Sequence, residues 1–416
     1  MRDTFYTAVD IGTSKVTVLL SRVGTEGDLK IFGIGSVPSE GIQRGRVENI
    51  EEARASVSAA LAEAQRYIGR ESVASSAYVS VSGSHISSVN RSEILDNQAT
   101  PEDISSKMLS GMLRGSFPKI DQTQQVLHVI PMGYTVDGLT GVRNPMGLAG
   151  NLVEMEAHVV VGESIVLQNT IKAVEAKDVS VKSLVMSGMA SAESTLTGDE
   201  REMGVVLLDI GAGTTDLVIY RQGTPWYSAV LPVGGYALTR DLAAALRSPL
   251  HVAEEVKVKW GSVDPESVPS DEEIELPTFQ GQHRRSVPRR ALAGPLHDRM
   301  TEIMKMALTH IRQAGMKDWP IGGLVLTGGG AQMTGLLEMA ARIVGEPVRV
   351  GYPYGLYGLP DQLRKPTFSA AVGLLLWGIK HHDSADKLGI PTATAAEPKK
   401  KRWRFRPSSR RKVETG

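Results

Sequence analysis

The chain has 416 residues, its 46 Lys and Arg balance its 46 Asp and Glu, and 41% of it is hydrophobic. That length outgrows one ordinary core and predicts two domains or several subdomains. The neutral balance gives no global pull toward nucleic acid, so no nucleic-acid partner is expected. The absence of cysteine excludes disulfides, thiolate metal sites and cysteine nucleophiles, and fits a reducing cytoplasm.

Asp3 and Asp10 bracket a stretch too short and too charged for a secretory h-region, so no signal peptide is expected. Residues 5–23 and 29–38 read as strands. Residues 51–68 follow as a helix, with Val57, Leu61, Ala64 and Ile68 at helical spacing and Gly69 as the stop, and then 77–83 as a strand. Between 84 and 161 the pattern changes to a small inserted α+β domain. It holds a helix begun at Pro101 and strands around VLHVIPMGYTV and LVEMEAHVVV. A helix near 163–176 and a short strand return to the main body. The second half repeats the scheme with strands over 204–221, strand WYSAVLPVG and helix YALTRDLAAALR. Residues 250–290 are polar and Pro-rich and read as a peripheral insertion. A long helix near 291–314 carries Leu292, Leu296, Met300, Ile303, Met306 and Ile311, an apolar stripe that predicts core packing. IGGLVLTGGGAQMTGL then reads as strand, glycine turn and helix start. The longest apolar run, FSAAVGLLLWGI at 368–379, is shorter than the ~18–20 residues of a spanning helix and predicts a buried core helix. Residues 383–398 are a linker by composition, and 399–416 form a basic tail.

Two stretches share one grammar: AVDIGTSKVTVLL at 8–20 and LLDIGAGTTDLVI at 207–219. Each places an aspartate, glycines and hydroxyls between two apolar runs. Gly12, Gly211 and Gly213 let backbone N–H groups approach an anion, while Thr13, Ser14, Thr214 and Thr215 supply hydroxyls and Lys15 a point charge. Asp10 and Asp209, one from each half, suit the water shell of a single Mg²⁺. A single such corner could be a hairpin turn using Gly and Asp only for positive φ. Two corners, followed by a third glycine cluster at Gly328, Gly329 and Gly330, favour a phosphate and nucleoside site.

The order DIGTSK, SGMASAES, DIGAGTTD, TGGGAQMTG, PTFSAAVGLL resembles the phosphate-one, connect-one, phosphate-two, adenosine and connect-two motifs of the actin, heat-shock-chaperone and sugar-kinase superfamily. Within it, residues 5 to about 382 most resemble the FtsA family of bacterial cell-division proteins. GSHISSVN, LHVIPMGYTVDG, GVRNPMGLAG and EMEAHVVVG are similar to that family's inserted domain, and LPVGGYALTRDLAAALRSPLHVAEEVKVKWG to its second-half insertion. The resemblance implies an α/β, actin-like fold: two similar halves around a nucleotide cleft, with two inserted subdomains. Its parts would be 1–83, 162–203 and 368–382 (first half), 84–161 (first insertion), 204–236 and 301–367 (second half), and 237–300 (second insertion). It also implies ATP with Mg, self-assembly into filaments, and attachment of FtsZ filaments to the cytoplasmic face of the membrane at the septum. Carried onto this chain, Asp10, Gly12, Thr13, Ser14 and Lys15 would form one phosphate loop. Asp209, Gly211, Gly213, Thr214 and Thr215 would form the other, flanked by Gly234 and Gly235. Gly328 to Gly330 and Met333 would take the nucleoside, and Glu254 and Lys257 would reach the base or ribose; an exposed i,i+3 ion pair is the alternative for those two. Ser187 stands where actins and chaperones have a water-orienting Gln or Glu, so hydrolysis is expected to be slow at best.

Other readings of the same fold are a sugar kinase, a peptide chaperone and a pilus-assembly scaffold. The first would need a carboxylate base at a sugar pocket and the second a substrate domain after residue 380, neither of which the sequence supplies. The basic tail and the division-type insertions argue against the third. Two charged segments carry the partner expectations. Arg284, Arg285, Arg289, Arg290 and Arg299 put five guanidinium groups into sixteen residues. They suit an acidic ligand, for which the resemblance supplies the C-terminal peptide of FtsZ; a solvated loop balanced by Asp271, Glu272 and Glu273 is the alternative. The tail, with Lys399, Lys400, Lys401, Arg402, Trp403, Arg404, Phe405 and Arg406, is read as a contact for an anionic membrane surface; a nucleic-acid-binding or merely solubilising tail is the alternative. FtsA proteins usually end in an amphipathic helix, and here Pro407 and the i,i+2 spacing of the two rings depart from that pattern.

Overall fold

The computed structural model describes residues 4–24, 29–66, 76–96, 102–118, 123–175, 179–277, 284–316, 318–356 and 358–381. Ile68, Gly69, Pro101 and the linker and tail lie outside them.

Two five-stranded sheets form the halves, and both follow one plan. In the first the order is Leu29–Pro38, Lys15–Val23, Thr4–Ile11, Ser76–Val81, Ser180–Met186. In the second it is Thr224–Leu231, Thr215–Arg221, Val205–Ile210, Leu324–Thr327, Val348–Val350. In each, three antiparallel strands come first in sequence and two parallel strands are added beyond the opening one. The paired apolar runs become central strands because both faces are covered; every residue of Val205–Ile210 is buried. The corners are the turns between the first two strands of each sheet. They close alike, Gly12 N–H donating to the Lys15 carbonyl at 3.0 Å and Gly211 N–H to the Thr214 carbonyl at 2.9 Å.

The halves meet through two helices, Ser187–Thr195 and Ser369–Lys380. They cross so closely that a Cβ on Gly373 would lie 1.7 Å from the Ala190 carbonyl oxygen. A backbone carbonyl cannot rotate away, so Gly373→Ala is expected to cost about 3 kcal/mol, the upper end of the overpacking range. Urea midpoints of this variant and of Gly294→Ala check it. Gly294 lies inside helix Arg290–Gln313 with nothing near its added methyl, so that change should be neutral or stabilising.

The first insertion is a four-stranded sheet ordered Leu139–Val142, Gln124–Val136, Leu152–Glu163, Ile86–Asp96. Helix Ser106–Gly115 covers it, burying Leu109, Met112 and Leu113. This helix starts later than the sequence suggests. Ser105 caps it by accepting the Met108 N–H at 3.3 Å, and Glu102–Asp103 forms a short strand instead. The insertion also touches the second half: Ser88 Oγ donates to the Ser228 carbonyl at 2.7 Å, and His158 bridges Asn90 Oδ1 (2.7 Å) to Ser228 Oγ (2.9 Å).

Residues 250–290 are less peripheral than their composition suggests. They open with helix Leu250–Trp260, which buries Val252, Ala253 and Val256. The hairpin Glu273–Pro277/Arg284–Pro288 follows. Helix Arg290–Gln313 buries Leu292, Leu296, Met300, Ile303 and Ile311 as its stripe predicts, whereas Met306 is only half-buried.

Candidate nucleotide cleft

A cavity of about 540 Å³ lies between the halves, within the range of small-molecule sites. The two corners form its floor. They abut: a Cβ on Gly213 would come within 2.4 Å of Thr13 Oγ1. Sixteen of the eighteen residues expected at a nucleotide line this cavity: Asp10, Gly12, Thr13, Ser14, Lys15, Asp209, Gly211, Gly213, Thr214, Gly235, Glu254, Lys257, Gly328, Gly329, Gly330 and Met333. Thr215 and Gly234 stand behind it. The Thr215 hydroxyl turns inward to the Val233 carbonyl at 2.9 Å, because its place on a doubly covered strand leaves no path to the cleft. Gly234 packs its Cα against the Gly211 carbonyl, which allows Gly235 N–H to donate to that oxygen at 2.9 Å.

Three carboxyls meet in the cavity, Asp209 and Asp216 buried and Asp10 half-buried. Ser80 Oγ donates to Asp10 Oδ1 at 2.7 Å, Ser191 Oγ donates to Asp209 Oδ2, and Ser82 Oγ donates to Asp216 Oδ2 at 2.7 Å. Asp216 ends the DIGAGTTD motif, and sequence reading passed over it although an acid inside an apolar strand is the same signal that marks Asp209. Burial raises all three carboxyls. Asp209 rises to about 6 despite its serine. Asp216 rises to about 8, with the Asp209 charge as the next cause, and Asp10 rises against the pull of Ser80 and Lys15. Burial lowers the Lys15 ammonium to about 8, and its Nζ sits 3.4 Å over the Phe368 ring. Asp216 Oδ1 is buried with no hydrogen-bond partner. Such an oxygen, beside two further acids and two glycine turns, fits a cation-bound phosphate chain.

The sign of these shifts gives a pH dependence for the ligand-free protein. A carboxyl whose folded pKa is raised holds its proton when the unfolded chain has lost it, so its stabilising contribution fades as pH rises through the folded value. His85, His128 and His158 are lowered by burial to about 4, 3 and 4. They act the other way but only below the unperturbed ~6.5. Stability should therefore fall by about 1–2 kcal/mol from pH 6.5 to 8, near one proton's slope, and recover above pH 8 as Lys15 takes over with the opposite sign. Chemical denaturation across that range checks this, and Asp216→Asn should flatten the fall.

Beside the second corner Lys257, itself buried, donates from Nζ to Glu254 Oε2 at 2.7 Å, Thr239 Oγ1 at 2.8 Å and the Gly235 carbonyl at 3.0 Å. The pair is thus a part-buried bracket on the cavity wall rather than an exposed ion pair. Gly328 takes φ +82°, and a Cβ there would fall 2.2 Å from Asp209 Oδ1, while one on Gly330 would meet Ile210 Cγ2 at 2.4 Å. The glycine run therefore exists to bring backbone against the second corner. Ser187 lines the cavity and donates to the Val81 carbonyl at 3.1 Å. Ser82, Gly45 and Thr367 also line it and were not singled out from sequence.

The arginine-rich segment is not one free cluster. Arg289 pairs with Glu272 at 2.7 Å and with the Trp260 carbonyl at 2.9 Å. Arg299 holds Asp241 from Nε at 2.6 Å and also Glu302. Arg284 lies 3.6 Å from Glu275. Arg285 and Arg290 are exposed. Glu272 is one of the balancing acids that the sequence offers as the alternative, whereas Asp241 and Glu275 are partners that it does not name. The membrane residues 399–406 lie outside the described residues.

The family model described as "Cell division protein FtsA" matches residues 206–373, and "SHS2 domain inserted in FTSA" matches residues 83–161. "Cell division protein FtsA" of Pseudomonas aeruginosa is 36% identical over 406 residues, covering 95% of this chain and 96% of that protein. The Escherichia coli K12 protein of the same name is 35% identical over 384 residues, 90% of each. Among solved structures, a chain of the PilM–PilN type IV pilus biogenesis complex aligns with TM-score 0.63 at 18% identity, covering 90% of this chain and 98% of that one. MreB5 of Spiroplasma citri bound to ADP aligns with TM-score 0.52 at 13% identity, covering 91% and 97%. The structural neighbours establish the actin-like α/β fold. With that fold, the match of the inserted domain and relatives of one name along nearly the whole length, the chain belongs to the FtsA family of bacterial cell-division proteins.

Proposed function

We propose that this cell-division protein binds Mg-ATP in the cleft, assembles into filaments, and tethers FtsZ filaments to the cytoplasmic face of the membrane at the septum. The observation that carries the nucleotide part is the meeting of two like Asp–Gly–hydroxyl corners across one cavity, with a glycine run and the Glu254–Lys257 bracket packed beside the second corner. Bound Mg would draw on Asp10 and Asp209 through water and would neutralise the phosphate chain. The chain's own part is to present backbone N–H groups from both corners, to hold the carboxylates on Ser80 and Ser191, and to exclude water through the crossing helices. Ser187 is short and already bonded to backbone, so it positions water poorly and turnover is slow; phosphate release near the ~1 per second of ordinary kinases would contradict this.

FtsZ binding is assigned to the second insertion through its C-terminal peptide. Arg289 and Arg299 hold their carboxylate partners there, and Arg290 supplies an exposed cation. Membrane attachment is assigned to the basic tail. Co-pelleting of the purified chain with FtsZ filaments, with and without anionic vesicles, tests the adaptor reading. It predicts FtsZ carried into the vesicle fraction only when the chain is present, and loss of that transfer on charge reversal at Arg290. Equal FtsZ in that fraction without the chain overturns it.

A further inference from the structure

A two-residue hairpin, Ile42–Gln43 paired with Arg46–Val47, reaches the cleft at the point where the two corners touch. Its tip is Arg44-Gly45, with φ +46° and +75°. Two consecutive left-handed residues make the turn type that closes such hairpins. That costs little at Gly45 but is uncommon for arginine, whose Cβ crowds its own backbone there. The tip is wedged. A Cβ on Gly213 would meet the Arg44 Cα at 3.0 Å as well as Thr13, and a Cβ on Gly45 would sit 2.0 Å from the Ser82 carbonyl. The hairpin base is tied by Arg46 to Glu163 at 2.8 Å. Gly45 lines the cavity next to Ser82, the serine that holds Asp216.

Beyond the Mg that Asp10 and Asp209 would hold, a further phosphate charge at this end would need a side-chain cation. Asp10, Asp209 and Asp216 supply carboxyls, yet Lys15 is stacked on Phe368 and Lys257 is committed to Glu254, Thr239 and the Gly235 carbonyl. Gly45 lines the cavity whereas Arg44 stands just outside it; the Arg44 side chain is exposed, and among the described residues no hydrogen bond or ion pair engages its guanidinium. A phosphate chain held between the corners, which touch at Thr13 and Gly213, would have Gly45 and the Arg44 backbone beside it.

We propose that Arg44 is a specificity-determining residue that contacts the terminal phosphate of a nucleoside triphosphate and so makes the cleft prefer triphosphate over diphosphate. This rests on the nucleotide reading above. A planar guanidinium suits a phosphate with two free oxygens, and a diphosphate bound in the same register stops short of it. The strained tip is retained because arginine at that site is worth more to binding than it costs to folding.

The test uses Arg44→Asn. Asn-Gly is a favoured pair for this turn, so the variant should melt at or above the wild-type temperature while losing the charge. Calorimetric titrations with Mg-ATP and Mg-ADP are compared for wild type, Arg44→Asn and Arg44→Lys. The expected result is an ATP affinity about tenfold weaker in Arg44→Asn, an ADP affinity within twofold of wild type, and partial recovery in Arg44→Lys. Equal losses for both nucleotides, or none for ATP, overturn the assignment of Arg44 alone. If wild-type protein binds neither nucleotide, the cleft reading falls and this one with it.

Discussion

Replacing Asp209 is expected to abolish nucleotide binding while leaving the fold standing. Asp209 is buried, its carboxyl is raised to about 6, and its stabilising contact is the Ser191 hydroxyl. Removing a buried acid of raised pKa relieves a desolvation cost, which offsets the loss of that hydrogen bond. The bound state has no such compensation. Without Asp209 the cation keeps Asp10 on one side only, and the phosphate chain faces a corner that no longer balances it. Close buried charge pairs carry coupling energies of about 1.5–7 kcal/mol, and a value in the lower half of that range, about 3 kcal/mol, is a loss of more than a hundredfold in affinity. Asp209→Ala and the isosteric Asp209→Asn should both show it by calorimetry with Mg-ATP, and their melting temperatures should stay close to wild type. Asp209→Asn should lose as much as Asp209→Ala, because charge rather than shape is removed. Unaltered affinity in either variant would take Asp209 out of the site.

The corners were legible in the sequence because they break a rule locally: an acid and small flexible residues interrupt runs that otherwise have to be buried. The same rule marks Asp216, but its neighbours Thr214 and Thr215 drew attention first, and only the fold shows that Asp216 comes within reach of Ser82 from the other half. Thr215 was over-read for the complementary reason. A hydroxyl in the motif looks like a phosphate donor, yet strand alternation turns its side chain to the face opposite Thr214 and Asp216, where it meets the Val233 carbonyl. The Ile42–Val47 hairpin was not legible at all, since GIQRGRV carries neither apolar alternation nor one of the usual Asn-Gly or Asp-Gly turn pairs. The arginines failed differently. Composition shows the cations, but whether each is free depends on carboxylates such as Asp241, which reaches Arg299 only because helix Gly235–Leu246 packs on helix Arg290–Gln313.

Truncation at Pro398 is expected to remove membrane binding altogether. In EPKKKRWRFRPSSRRKVETG, the last twenty residues, nine Lys or Arg face two Glu, so the tail carries +7 while the whole chain is neutral. Each basic residue near an anionic leaflet contributes about 1 kcal/mol, so the tail supplies the larger part of any affinity for such a surface. The body, left with the opposite charge, is repelled by it. Trp403 and Phe405 add insertion at headgroup depth, where aromatic rings are favoured. With both rings at i and i+2 and Pro407 beyond them, the sequence leads to the expectation of an extended segment rather than a membrane helix. Attachment by charge is screened by salt, the Debye length shrinking from about 10 Å at 0.1 M to about 3 Å at 1 M. In vesicle flotation, the full chain should therefore bind anionic vesicles at low salt, release steeply as salt rises, and ignore neutral vesicles. The truncated chain should not bind either. Binding to neutral vesicles that survives high salt would mean that apolar burial, not charge, holds the tail. Failure to bind anionic vesicles at low salt would remove the tail from the tether and require the membrane contact to come from a partner.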